Sequence, residues 1–138
     1  MNSLSTFISH VSEDSALAEQ IRRALEKRGR HAFNPKTDIR AGENWRHAIR
    51  TAIGNADNVL VIISSGHAAA NSWMGYEVGA AEALGKPVLT LASDRLSLSD
   101  LPEDLISRQI VHFDPQAPER GVSEVLDRLA PAKPPSPR

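Results

Sequence analysis

Val59-Leu60-Val61-Ile62-Ile63 is an unbroken apolar run, mostly β-branched, bounded by Asn58 and Ser64. A strand with one wet face alternates apolar and polar residues, whereas one apolar at every position has both faces covered. Such a strand sits at the centre of a parallel sheet packed between two helical layers. The flanking sequence supplies the other parts. Thr6-Phe7-Ile8-Ser9 is a short strand. Ser12 after it is read as an N-cap, with Glu13 and Asp14 in a first helical turn. That helix carries Leu17, Ile21, Ala24 and Leu25 on one face and stops at Gly29. His31-Ala32-Phe33 is a second strand, and residues 34–43 form a polar loop holding Pro35, Asp38 and Gly42. Trp45, Ile49, Ala52 and Ile53 mark an amphipathic helix, with Trp45 read as core. Beyond the central strand come a helix from Trp73 to Leu84, a strand Pro87-Val88-Leu89-Thr90-Leu91, and a poorly periodic stretch over 92–108, read as loop with a short helix. A strand Ile110-Val111-His112-Phe113 and a closing helix with Val122, Val125, Leu126 and Leu129 follow. Strand and helix thus alternate, which requires a parallel sheet with right-handed crossovers. The expected fold class is α/β: a flavodoxin-like three-layer sandwich, with a five-stranded parallel sheet and helices on both faces.

The 138 residues suffice for one domain with a real core. Residues 1–130 are read as that domain. Residues 131–138 include four prolines and are read as a disordered tail or the stub of a linker. A net charge of −1 gives no electrostatic case for nucleic acid or an anionic membrane surface. The absence of cysteine excludes disulfides, thiol catalysis and Cys-based zinc sites. His31, His47, His67 and His112 are scattered without ligand spacing, so no metal is expected. Neither a signal segment nor an apolar run of membrane-spanning length is visible, and the expected location is the cytoplasm.

One residue breaks the pattern. At about 100° per residue, Trp73, Ala80 and Leu84 share a stripe of their helix, extended to one side by Met74, Val78 and Ala81. Glu77 points into that apolar arc, while Glu82 lies on the polar face. A carboxylate buried without a partner costs several kcal/mol or shifts its pKa upward. Glu77 is therefore the first candidate for chemistry. In parallel sheets ligands bind outside the carboxyl ends of the strands. Ser9, His10, Asn34, Ser64 and the polar residues from Thr90 to Ser93 crowd that edge.

Phe7-Ile8-Ser9-His10 with Ser12-Glu13-Asp14, Asp38-Ile39-Arg40-Ala41-Gly42 with Trp45, Val59 to Ser64, and Ser72-Trp73 with Glu77 together resemble a bacterial TIR (Toll/interleukin-1 receptor) domain. The resemblance runs over roughly residues 5–130. It implies that the glutamate of the Trp-x-x-x-Glu pattern, Glu77 here, serves NAD⁺ cleavage. It also implies that the loop over 34–43 borders the substrate cleft and takes part in self-association, and that a further domain or effector protein is a possible partner. NAD⁺ would be a consumed substrate and not a resident cofactor. Gly75, Gly79 and Gly85 agree, since they do not form the Gly-rich strand-to-helix turn of a dinucleotide fold.

The site residues expected around Glu77 are Ser9, His10, Phe33, Asp38 and Trp73. Each has a plainer alternative. Trp73 is either a wall of the cleft or core, and Phe33 either stacks on nicotinamide or belongs to the core. Ser9 and His10 contact substrate or cap the strand end. Asp38 touches substrate or a neighbouring copy, or is a turn residue. Two other functions compete: a non-enzymatic TIR interaction module, and a nucleoside deoxyribosyltransferase-like enzyme. The latter family is similar over the glutamate, Gly79-Ala80-Ala81 and Gly85-Lys86-Pro87-Val88. The first-strand Ser9-His10 and the loop from Asp38 to Trp45 favour TIR.

Overall fold

Every residue of the run Val59–Ile63 is buried, as an unbroken apolar strand requires. The computed structural model describes residues 4–66, 72–101, 105 and 109–129. Its strands are β1 (Ser5–His10), β2 (His31–Phe33), β3 (Asn58–Ile63), β4 (Val88–Ser93) and β5 (Gln109–Phe113). They form one parallel sheet in the order β2-β1-β3-β4-β5. The helices are α1 (Ser15–Lys27), α2 (Pro35–Asp38), α3 (Trp45–Asn55), α4 (Ser72–Ala83) and α5 (Glu119–Leu129). The expected α/β sandwich is the fold observed.

Alternation along the strands divides the core into two layers. Phe7, Val59, Val61 and Ile63 face α3 and α4, where Ile49, Ile53, Met74, Val78 and Ala81 meet them. Ile8, Leu60 and Ile62 face the other way, toward Ala18, Ile21 and Leu25 of α1 and Val122, Val125 and Leu126 of α5. Gly29 and Gly85 close α1 and α4 with φ of +74° and +68°. In each case the following amide reaches back to a carbonyl in the last turn, Arg30 to Leu25 and Lys86 to Ala81. Only glycine adopts that left-handed backbone without strain.

Four local expectations are corrected. Ser12 is not the cap of α1. It opens a 3₁₀ turn over Ser12–Asp14, and α1 begins at Ser15, whose hydroxyl donates to the Ser12 carbonyl. The stretch over 34–43 is not all loop, because Asn34 caps the Lys36 amide and Pro35 presets the first turn of α2. Trp45 is not core. It is 44% exposed, and Ile49 and Ile53 carry the packing of α3. Leu84, at 49% exposed, is likewise outside the core. The Pro-rich stretch over 131–138 lies outside the described residues. No helix among those described is long and apolar enough to cross a membrane.

Gly121 brings α5 close against β5. A Cβ there would lie 2.5 Å from the Phe113 Cβ and 3.2 Å from its Cα. Gly121→Ala should therefore lower stability by roughly 1–3 kcal/mol through overpacking of α5 on β5. Gly79, inside α4, has open space where a Cβ would go. Gly79→Ala should raise stability by about 0.5–1 kcal/mol through helix propensity alone. Urea denaturation of the two variants should move the midpoint in opposite directions.

Candidate active site

α4 is apolar on most sides, so packing alone does not set its rotation. The buried stripe is Met74, Glu77, Val78 and Ala81, with spacing i, i+3, i+4, i+7. This is the flank of the apolar arc read from the sequence and not its centre, since Leu84 faces solvent and Ala80 is half-buried. Glu77 is thereby turned onto the sheet and is 1% exposed. Ser9, next to the end of β1 and in register with Val61, faces it. The Ser9 hydroxyl donates to Glu77 Oε1 at 2.7 Å. Oε2 has no hydrogen-bond partner among the described residues.

Burial pushes the Glu77 carboxyl up to about 7, against the opposing effects of the Ser9 hydrogen bond and the Lys36 charge. Burial wins because a hydroxyl and a distant ammonium replace only part of the lost hydration. The Lys36 charge acts on Glu77 from α2. A hydrogen-bond chain fixes that turn. Asn34 Oδ1 accepts from the Lys36 amide at 3.0 Å, so the face toward His10 is the NH₂ donor. His10 Nε2 therefore accepts at 2.9 Å, and Nδ1 carries the proton that it donates to the Val11 carbonyl at 2.7 Å.

The remaining expected residues make other contacts. Both Asp38 oxygens accept from Arg22, at 2.9 and 3.2 Å, and Oδ2 also accepts from the Asn34 amide at 2.8 Å. Asp38 thus holds α2 against α1. Phe33 stacks on buried Phe7 with ring centres 5.6 Å apart. With Asp38, Ile39, His47 and Ala48 it lines a groove of about 470 Å³. Trp73 lies in the first turn of α4, but its side chain is outside the described residues. The structure thus brings Ser9 to Glu77 and His10 to Asn34, and assigns Phe33 and Asp38 to the neighbouring groove.

Asp14 and Lys36 were missed as members of this edge. Asp14 is 4% exposed and accepts a hydrogen bond from Ser64. It lies four residues past the end of β1, and an acid that close to a strand exit was the signal that could have found it. Among the described residues no group of three or more His, Cys, Asp or Glu could hold a metal.

The raised pKa of Glu77 has a consequence for stability. Below the unfolded value of about 4.5 both states are protonated, and burial costs nothing through charge. Between that value and about 7 the unfolded chain releases its proton while the folded chain keeps it, so stability falls as pH rises. The loss amounts to roughly 3 kcal/mol once pH exceeds the folded value. Glu77→Gln removes that term and leaves Ser9 an acceptor. Urea denaturation should show the variant more stable than the parent at pH 8, with the advantage shrinking toward pH 4.

The chain matches the family model for the TIR domain over residues 6–127. Among solved structures it resembles the TIR-STING receptor of C. gigas, with a TM-score of 0.75 and 20% identity over 91% of this chain and 39% of that one. The chain therefore spans about two fifths of that receptor. It also resembles the TIR domain of the Toll-related receptor TRR-2 from Hydra magnipapillata, with a TM-score of 0.70 and 18% identity over 89% of this chain and 94% of that one. A 2-deoxyribosyltransferase from Bacillus psychrosaccharolyticus follows at a TM-score of 0.59 and 19% identity, over 94% and 98% of the two chains. At these identities the likenesses show the fold alone. A search of curated proteins found no match. The family match spans nearly the whole sheet with its helices, and by it the chain belongs to the TIR domain family.

Proposed function

We propose that this TIR domain cleaves the bond between ribose C1′ and the nicotinamide nitrogen of NAD⁺. The observation that carries the reading is the Glu77 carboxylate, buried at the substrate-binding edge of a parallel sheet with one oxygen held by Ser9 and the other without a partner among the described residues. The nicotinamide nitrogen is already cationic, so nicotinamide leaves with the bonding pair as a neutral molecule. No acid is needed, and the paired carboxylates of ordinary glycosidases are unnecessary. One carboxylate suffices if it holds the ribose hydroxyls through Oε2 and stabilises positive charge developing at C1′. Water as acceptor gives ADP-ribose and a proton; a nucleophilic atom of the same molecule gives a cyclic isomer and a proton.

Ser9 positions Glu77, His10 and Asn34 hold the adjoining turn, and the Lys36 charge on that turn favours the ionised carboxylate. Trp73, four residues before Glu77, is the wall against which nicotinamide or ribose packs. Phe33 and Asp38 border the cleft through the neighbouring groove. The setting we infer is cytoplasmic signalling in bacterial antiphage defence or host subversion. The family match favours this reading over a deoxyribosyltransferase. Against a purely adhesive TIR module stands the buried, incompletely satisfied carboxylate, which adhesion does not require.

Glu77→Gln keeps the shape and removes the charge. NAD⁺ cleavage, followed by chromatography of the products, should fall by about two orders of magnitude or more, mainly in kcat. In the parent enzyme activity should rise with pH through about 7, as Glu77 ionises. Retention of most activity in a folded Glu77→Gln protein would remove the proposal.

Glu77 is almost wholly covered in the single chain, so substrate must open its surroundings. The exposed segment after Ile39 is the part of the neighbouring loop left free to dock on a second copy. Activity per chain should therefore rise with protein concentration. Gly42 has φ of +89°, which proline cannot adopt. Gly42→Pro should abolish assembly and turnover together while the domain stays folded. Flat specific activity over about a hundredfold dilution, with the protein monomeric throughout, would show the cleft complete in one chain.

A further inference from the structure

Among the described residues Asp14 is a second buried carboxylate, and the reaction above makes no use of it. The strand order reverses between β1 and β3: β1 leads to α1 on one face and β3 to α4 on the other. In open parallel sheets a crevice forms at such a point, and ligands occupy it. Asp14 follows β1 and Ser64 follows β3. The Ser64 hydroxyl donates to Asp14 Oδ1, which ties the two strand exits together across the crevice. Asp14 Oδ2 has no partner among the described residues.

Asp14 and Ser64 line a cavity of about 310 Å³ together with Glu13, Leu17, Phe113 and Pro115. Leu17 and Phe113 belong to the core layer of α1 and α5, whereas Glu77 lies among the residues of the opposite layer. The two carboxylates are thus on different faces of the sheet. The lining holds two acids and no Lys, Arg or His, which disfavours phosphate and other anions. The cavity is far larger than a metal ion, and a cluster of three metal ligands is lacking among the described residues. Gln20 adds one neutral polar side chain, and the rest of the wall is apolar.

We propose that this cavity is a binding site, separate from the Glu77 cleft, for a small organic cation, with a guanidinium or ammonium head on Asp14 Oδ2 and an apolar body against Leu17, Phe113 and Pro115. Oδ2 is itself covered, so the head must displace the atoms over it, and it then supplies the donor that Oδ2 lacks as a charge-assisted hydrogen bond. The aromatic wall adds attraction for the cation.

The test uses two probes of nearly the same shape and different charge, n-butylguanidinium and n-butylurea, titrated into isotope-labelled protein and followed by NMR. The guanidinium should saturate with shifts centred on Leu17, Ser64 and Phe113, and bind at least about tenfold more tightly than the urea. Asp14→Asn should erase that preference. Leu17→Trp should fill the cavity and block both probes, which keeps the test decisive if the Asp14 variant does not fold. Glu77→Gln should bind like the parent, so failure of the NAD⁺ reading leaves this one standing. Equal affinity for the two probes, no saturation at millimolar concentration, an unchanged preference in folded Asp14→Asn, or loss of binding in Glu77→Gln would each overturn the proposal.

Discussion

The hydrogen bond from Ser9 to Glu77 decides how one whole face of this sheet is built. A carboxylate this deeply covered is tolerated only with a partner or with a proton. Ser9 supplies the partner for one oxygen, and the raised pKa supplies the proton over much of the accessible range. With α4 apolar on most sides, hydrophobic burial would allow several rotations of the helix. The one adopted places Glu77 over Ser9 and lets Met74, Val78 and Ala81 follow. Leu84 is left in solvent as a result. A polar contact here selects among packings that apolar area would leave nearly equal.

The same edge shows how a short turn is made rigid without a core of its own. α2 is a single turn and buries little beyond Pro35. It is pinned at one end by Arg22 on Asp38 and at the other by Asn34, which joins the Lys36 amide to the His10 ring. Each bond fixes the sense of the next, from the Asn34 amide to the His10 tautomer to the Val11 carbonyl. The first half of the loop is therefore a fixed wall. Its second half, from Arg40 through Asn44, is exposed and bears only local contacts such as the Arg40 amide on Glu43.

What was legible in the sequence was whatever periodicity encodes. The unbroken run of β3, the alternation of elements and the glycine stop of α1 follow from residues a few positions apart, and so does the misplaced Glu77. The partner of Glu77 was not legible as such, because Ser9 lies 68 residues away and only the pairing of β1 with β3 brings it near. Trp45 misled because a place on a helical stripe does not say how far along the helix the packing extends. Asp38 sat in the expected loop, but its tie to Arg22 crosses from α2 to α1 and is invisible to local spacing. Asp14 was absorbed into the expected first turn of a helix, where acids are ordinary.

Both buried carboxylates arise from one property of the topology. Where β1 and β3 send their chains to opposite faces, no single helix layer closes over the strand ends. Polar side chains near the strand exits then find partners there. On one face Ser9 meets Glu77, and on the other Ser64 meets Asp14. In each pair a hydroxyl satisfies one oxygen and leaves the other open among the described residues. In each, burial raises the pKa from its ordinary value. A core built for stability alone would replace both acids with apolar residues of similar volume. Burial of both acids is opposed by folding free energy at neutral pH, so packing alone does not account for them.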